Sequence, residues 1–180
     1  MYKLGMVDEI EFKYADIWCI EEYLNFSRGV AAPSGGHIDL MLQIAKTYPP
    51  PYWVLYILVV SRIGQELGRY QCPMPLSFSE LEKFCQKYKD FFESDGRHHL
   101  WIASTLTNQF LVYDRHNVIY IYDNIDNIRN YFRKSLYDEM VVKFPEPHIH
   151  LYNEKNDVFE LDIINYYEWF HTELQQQDEV

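Results

Sequence analysis

Five histidines stand where imidazole chemistry is possible. His98, His99 and His116 fall in one stretch, Asp95 to Asn124, together with Arg97, Arg115, Asp95, Asp114 and Asp123. His148 and His150 follow further on, one residue apart. In an extended chain, residues i and i+2 point to the same face, so His148 and His150 would present their rings side by side, as two metal ligands do. His98 and His99 point to opposite faces, and only one of them can join. A transition-metal site then needs a third ligand, for which His116 and Asp114 are the candidates. The same residues also read as parts of a hydrolase or nuclease. His98, His99 or His116 would be the general base and Arg97 or Arg115 would stabilise developing negative charge, with His150 alongside.

Several features weigh against turnover. There is no H-E-x-x-H, no paired C-x-x-C and no other spacing of a named metal class. Asp95-Gly96 and Asp114-Arg-His-Asn117 are also ordinary turn sequences. Cys85 lies on an apolar helical stripe, and Ser61 and Ser104 lack the nucleophile elbow. No cofactor is expected on these grounds.

The elements that must position the histidines follow from periodicity. Helices are expected over His37–Thr47, over Ser79–Phe92 behind a capping box of Ser79 and Glu82, and over Asn124–Leu136 with Ile125, Ile128, Phe132 and Leu136 on one stripe. A last helix starts at Asp157, with Ile163, Tyr167, Phe170 and Leu174 as its buried stripe. Asp16–Asn25 leans towards a short helix, and Arg28–Gly36 reads as a turn-rich loop. Strands are expected at Tyr52–Ser61, Gly68–Cys72, His98–Leu106, Gln109–Tyr113 and Val118–Tyr122, with a further one over Val141–Tyr152 interrupted at its prolines. Asp114–Asn117 has the length and residue types of a hairpin loop. Short connections imply antiparallel pairing, so the expected fold is a single α+β domain over residues 1–180, mainly antiparallel sheet with helices packed on it.

Composition narrows the partners. A net charge of −11 argues against nucleic acid, because binding phosphates requires a basic surface. No apolar run approaches the length a bilayer helix needs. The opening residues show no basic region followed by an apolar one, so no secretory signal is expected. Three scattered cysteines suggest reduced thiols and a cytoplasmic setting. From residue 151 onward, eight acidic side chains face Lys155 alone, a field that attracts basic partners. Tyrosine and tryptophan are common interface anchors. The expected partner-binding set is therefore Glu154, Asp157, Glu160, Asp162, Tyr166, Glu168 and Trp169.

Four segments, Pro51-Tyr-Trp-Val-Leu-Tyr56, Gly68-Arg-Tyr-Gln71, Asp95-Gly-Arg-His-His-Leu-Trp-Ile102 and Val112-Tyr-Asp-Arg-His-Asn117, together resemble a group of small bacterial proteins. These are immunity proteins of polymorphic and contact-dependent growth-inhibition toxin systems. The resemblance covers roughly residues 50 to 125. It implies a cytoplasmic protein that neutralises a cognate toxin domain, a basic one given the charge here, by stoichiometric binding. It implies no catalytic residues. The histidine-dependent, metal-assisted hydrolase or nuclease is the alternative.

Overall fold

The computed structural model describes residues 3–6 and 11–178. Three strands, β1 (Leu4–Met6), β2 (Ile17–Glu22) and β3 (Ser27–Ala32), precede helix α1 (His37–Ala45). Strands β4 (Tyr52–Leu58) and β5 (Gly68–Gln71) lead to helices α2 (Phe78–Lys87) and α3 (Lys89–Ser94). Then come β6 (His98–Ser104), β7 (Phe110–Tyr113) and β8 (Ile119–Tyr122), followed by α4 (Ile125–Phe132). Strands β9 (Asp138–Glu139) and β10 (His148–His150), helix α5 (Asp157–Ile164) and strand β11 (Phe170–Thr172) complete the described chain.

Nine strands form one sheet in the order β11-β5-β4-β6-β7-β8-β3-β2-β9, antiparallel except where β9 runs parallel to β2. The expected α+β architecture is what is found. β1 and β10 form a separate antiparallel ribbon, with Leu4 opposite His150 and Met6 opposite His148.

The two faces of the sheet differ because side chains alternate. Tyr56, Leu100, Tyr113, Ile119, Ala31 and Trp18 occupy register-matched positions on one face, where they meet the helices in the main core. Trp101, Val112, Tyr120, Val30 and Cys19 line up on the other. There a smaller core of Tyr14, Cys19, Val30, Ala32 and Val118 is covered in part by Phe12 and Val142. Helix α4 sits so close to β3 that a Cβ on Gly29 would lie 2.8 Å from Cγ2 of Ile128. Gly29→Ala should therefore cost about 1–3 kcal/mol through overpacking. Urea unfolding measures this, and a change below about 0.5 kcal/mol would mean that α4 is not seated there.

Several local expectations give way to longer-range forces. Asp16–Asn25 is not a helix. Asp16 takes a positive φ of 48°, its carboxylate accepts from the Ser34 amide and hydroxyl, and Ile17–Glu22 leaves it as β2. Much of the expected Arg28–Gly36 loop is the inner strand β3, hidden in the sequence by its small residues. The capping box is Ser77 and Glu80 rather than Ser79 and Glu82, because Leu76 is still held by backbone bonds to Tyr52 and the helix begins directly after it. The chain breaks at Tyr88 into α2 and α3.

Helix α4 ends at Phe132 and leaves Leu136 exposed, off the stripe assigned to it. The last helix stops at Ile164. Ile163 is buried as expected, but Phe170 is in the edge strand β11 and largely exposed. Only His148–His150 of the expected Val141–Tyr152 strand pairs. All three cysteines are free and buried. Among the described residues, no helix is long and apolar enough to cross a membrane.

Candidate metal centre

The turn between β7 and β8 delivers the first histidine. Oδ1 of Asp114 accepts the backbone N–H of His116 at 2.9 Å and of Val118 at 3.0 Å, an Asx turn that folds the loop on its own side chain. Asn117 accepts the positive φ of 63° this tight turn requires. Oδ2 of the same Asp114 lies 2.8 Å from Nδ1 of His116. A carboxylate only accepts, so Nδ1 donates, and in the neutral ring the lone pair lies on Nε2.

Strand β10 delivers the other two. His148 and His150 share a face of the ribbon, and the ribbon lies against the hairpin loop. The ring centroids of His116, His148 and His150 are 4.9–5.3 Å apart. One ligand nitrogen from each falls within 4.8 Å of the others. Nδ1 of His148 donates to the Pro145 carbonyl at 3.0 Å, which again places the lone pair of the neutral ring on Nε2. Nδ1 of His150 is buried with no hydrogen-bond partner among the described residues. Burial, then the positive charge of Arg115 and the neighbouring rings of His116 and His148, pushes the pKa of His150 down to about 3. Its imidazole is neutral at physiological pH, the form that binds metal.

These residues fit a divalent transition metal. Tetrahedral coordination at 2.0–2.1 Å sets nitrogens roughly 3.3 Å apart, so the cluster must close by about 1.5 Å at most. The partners on Nδ1 of His116 and His148 are of the kind that orient metal-bound imidazoles. Asp114 is held as a carboxylate. Burial alone would raise its pKa, but hydrogen bonding to His116 and the Val118 amide and the charge of the nearby histidines lower it overall. Phe144 packs on the His116 ring at 4.6 Å. Arg115 donates to the Tyr152 hydroxyl at 3.0 Å.

Beneath the hairpin lies Lys3, fully buried. Its Nζ donates to the Asp114 carbonyl at 3.0 Å and lies 3.6 Å from the Tyr113 ring centroid. Burial lowers its pKa from 10.5 to about 7, against the attraction of Asp114, Asp95 and Glu93. For a lysine depressed in this way, the unfolded chain binds more protons between the two values. Its penalty on stability is complete below pH 7 and is relieved as pH rises from 7 towards 10.5. Lys3→Met should remove that rise, as read from urea unfolding at pH 6, 8 and 10. Identical pH slopes in the two proteins would exclude Lys3 as its source.

The other candidates separate. His98 lies on the helix-facing side, enclosed by the rings of Tyr56, Phe91 and Phe92 at 4.6–5.5 Å, and does not join the cluster. His99 faces the other way and its Nε2 bonds to the Asp178 carbonyl at 3.1 Å.

Within the acidic set, Glu160 is fully buried against Arg97 and Ser61. Asp157 bonds to Arg97 at 2.9 Å and to Arg62 at 3.2 Å. Asp162 pairs with Lys87 at 2.7 Å and accepts from Tyr88 at 2.8 Å. Glu154 and Glu168 are exposed. Tyr166 packs on Phe84 and Tyr88, and Nε1 of Trp169 donates to the Ile163 carbonyl at 2.9 Å. Sequence reasoning missed Arg97 as the hub of these acids, and also the Pro145 carbonyl and Phe144. The i, i+2 spacing of His148 and His150 was the one usable signal for the metal cluster. Compared with known proteins, the chain matches no family model, no curated protein and no solved structure.

Proposed function

We propose that the protein holds a divalent transition metal, zinc by ligand type, on His116, His148 and His150, and works as a metal-dependent hydrolase. The observation that carries this reading is the convergence of three imidazole nitrogens within 4.8 Å of one another. Structural zinc sites close with four protein ligands, whereas catalytic ones use three and leave a position for water or substrate. A bound ion supplies Lewis acidity and lowers the pKa of its water. The chain's own contribution is orientation. Asp114 and the Pro145 carbonyl hold two rings in the Nδ1–H tautomer with Nε2 turned to the metal, and Arg115 adds positive charge beside His150. Protein dialysed against zinc and then against metal-free buffer should retain about one ion per chain by elemental analysis. Cobalt substitution should give the visible bands of a tetrahedral site. Absence of stoichiometric metal ends this reading.

A second reading is stoichiometric neutralisation of a basic toxin domain. It is supported by the resemblance over residues 50 to 125 and by the exposed acids Glu154 and Glu168, the second next to Trp169 in the chain. On this reading a toxin domain is encoded in a neighbouring frame, co-expression of this protein with it rescues growth, and His148→Ala rescues equally well. Loss of rescue with His148→Ala would tie protection to the metal cluster instead.

A further inference from the structure

A cavity of about 390 Å³ opens on the sheet face away from the helices, and His116 and Asp114 form part of its wall. That volume is within the range of small-molecule sites. Trp101, Tyr120, Tyr122 and Phe144 also line it. Phe144 belongs to both places, since it lines the cavity and packs on the His116 ring. The cavity and the histidine cluster are therefore adjacent, with one imidazole shared between them.

The charged groups and several of the other polar groups of the cavity are already engaged. Nε of Arg28 donates to Glu21 at 2.7 Å, its Nη1 to the Tyr122 hydroxyl at 3.1 Å, and its guanidinium covers the Tyr120 ring at 4.0 Å. His99 is bonded to the Asp178 carbonyl, and the Asp114 carboxylate to His116 and the turn amides. An entering ligand that carries its own charge finds few unpaired partners. What the walls offer freely is aromatic surface, which favours flat apolar groups through offset or edge contacts. Trp101 is held for this role by stacking on Phe110 at 6.1 Å, with Arg69 5.3 Å from its ring.

We infer that this cavity is the substrate chamber of the metal centre, and that it takes an uncharged, flat aromatic group attached to the function that meets the metal. The inference rests on the metal reading above. It predicts selectivity between two metal-binding probes that differ only in their tails, acetohydroxamate and benzohydroxamate. On the zinc-loaded protein, benzohydroxamate should bind at least tenfold more tightly, as measured by calorimetry. Trp101→Ala should bring benzohydroxamate down to the level of acetohydroxamate, while zinc content and acetohydroxamate affinity stay unchanged. If Trp101→Ala weakens the fold, Tyr122→Leu, on the cavity wall at a partly exposed position away from the histidines, gives the same comparison. Equal binding of the two probes by the zinc-loaded wild type, or an unaltered preference in both variants, overturns the chamber and leaves the metal site standing. A protein that takes up no zinc overturns both.

Discussion

Arg97→Met is expected to lower stability by about 3–5 kcal/mol. The guanidinium is fully buried and grips Asp95 with two bonds, Nε to Oδ1 at 2.8 Å and Nη2 to Oδ2 at 2.9 Å. Nη1 reaches Asp157 and Glu160 from the far side, and Nη2 also meets the Asn153 carbonyl at 3.2 Å. Asp95 and Glu160 are themselves completely enclosed. Methionine fills much of the space but leaves two carboxylates in a low-dielectric interior without their cation, and that uncompensated charge is the main term. A triple variant, Arg97→Met with Asp95→Asn and Glu160→Gln, should recover most of the loss. Urea unfolding of both proteins is the measurement. A loss below about 1 kcal/mol for the single variant would mean that water reaches the network.

His116→Ala should weaken zinc binding by roughly two orders of magnitude or more, since it removes one of three ligands and the ring through which Asp114 acts. Asp114→Asn should have a smaller effect, about 10–100-fold, because one amide oxygen cannot serve both the turn amides and Nδ1 of His116, and the charge that raises the ring's basicity is lost. His99→Gln, on the adjacent strand but outside the cluster, should bind zinc as the parent does. Competition against a chelating dye ranks all three. Parental affinity in His116→Ala would place any bound metal elsewhere.

The extent to which this was readable in advance depends on how local the cause was. The Asp114–Asn117 hairpin was legible because an aspartate side chain folds the turn by bonding amides two and four residues ahead. The shared face of His148 and His150 followed from the two-residue period of a strand. What those rings face was not legible, because it depends on a pairing between β10 and the start of the chain.

Strand β3 was hidden by Ser-Arg-Gly-Val-Ala-Ala, a sequence poor in strand formers. Its glycine is there because Ile128 of α4 occupies the space a side chain would need. The final helix was extended too far because the apolar spacing continues past Ile164. The chain leaves helical geometry where the Trp169 indole takes up the Ile163 carbonyl, and β11 then joins the sheet edge against β5. The acidic residues of 154–168 were read by charge alone, and charge does not reveal that Arg97 has already claimed two of them.

The ribbon of β1 and β10 stands outside the nine-stranded sheet, and among the described residues a backbone bond from the Gly96 amide, just before β6, to the Leu151 carbonyl, just after β10, ties the two together. An ion shared by His116, His148 and His150 would therefore be a cross-link. It would close a loop of roughly thirty residues that carries β8, α4 and β9, and would restrict the unfolded chain much as a disulfide of that span does. In a protein whose three thiols are all buried and unpaired, such a staple needs no oxidant. It can be set or released by metal supply alone.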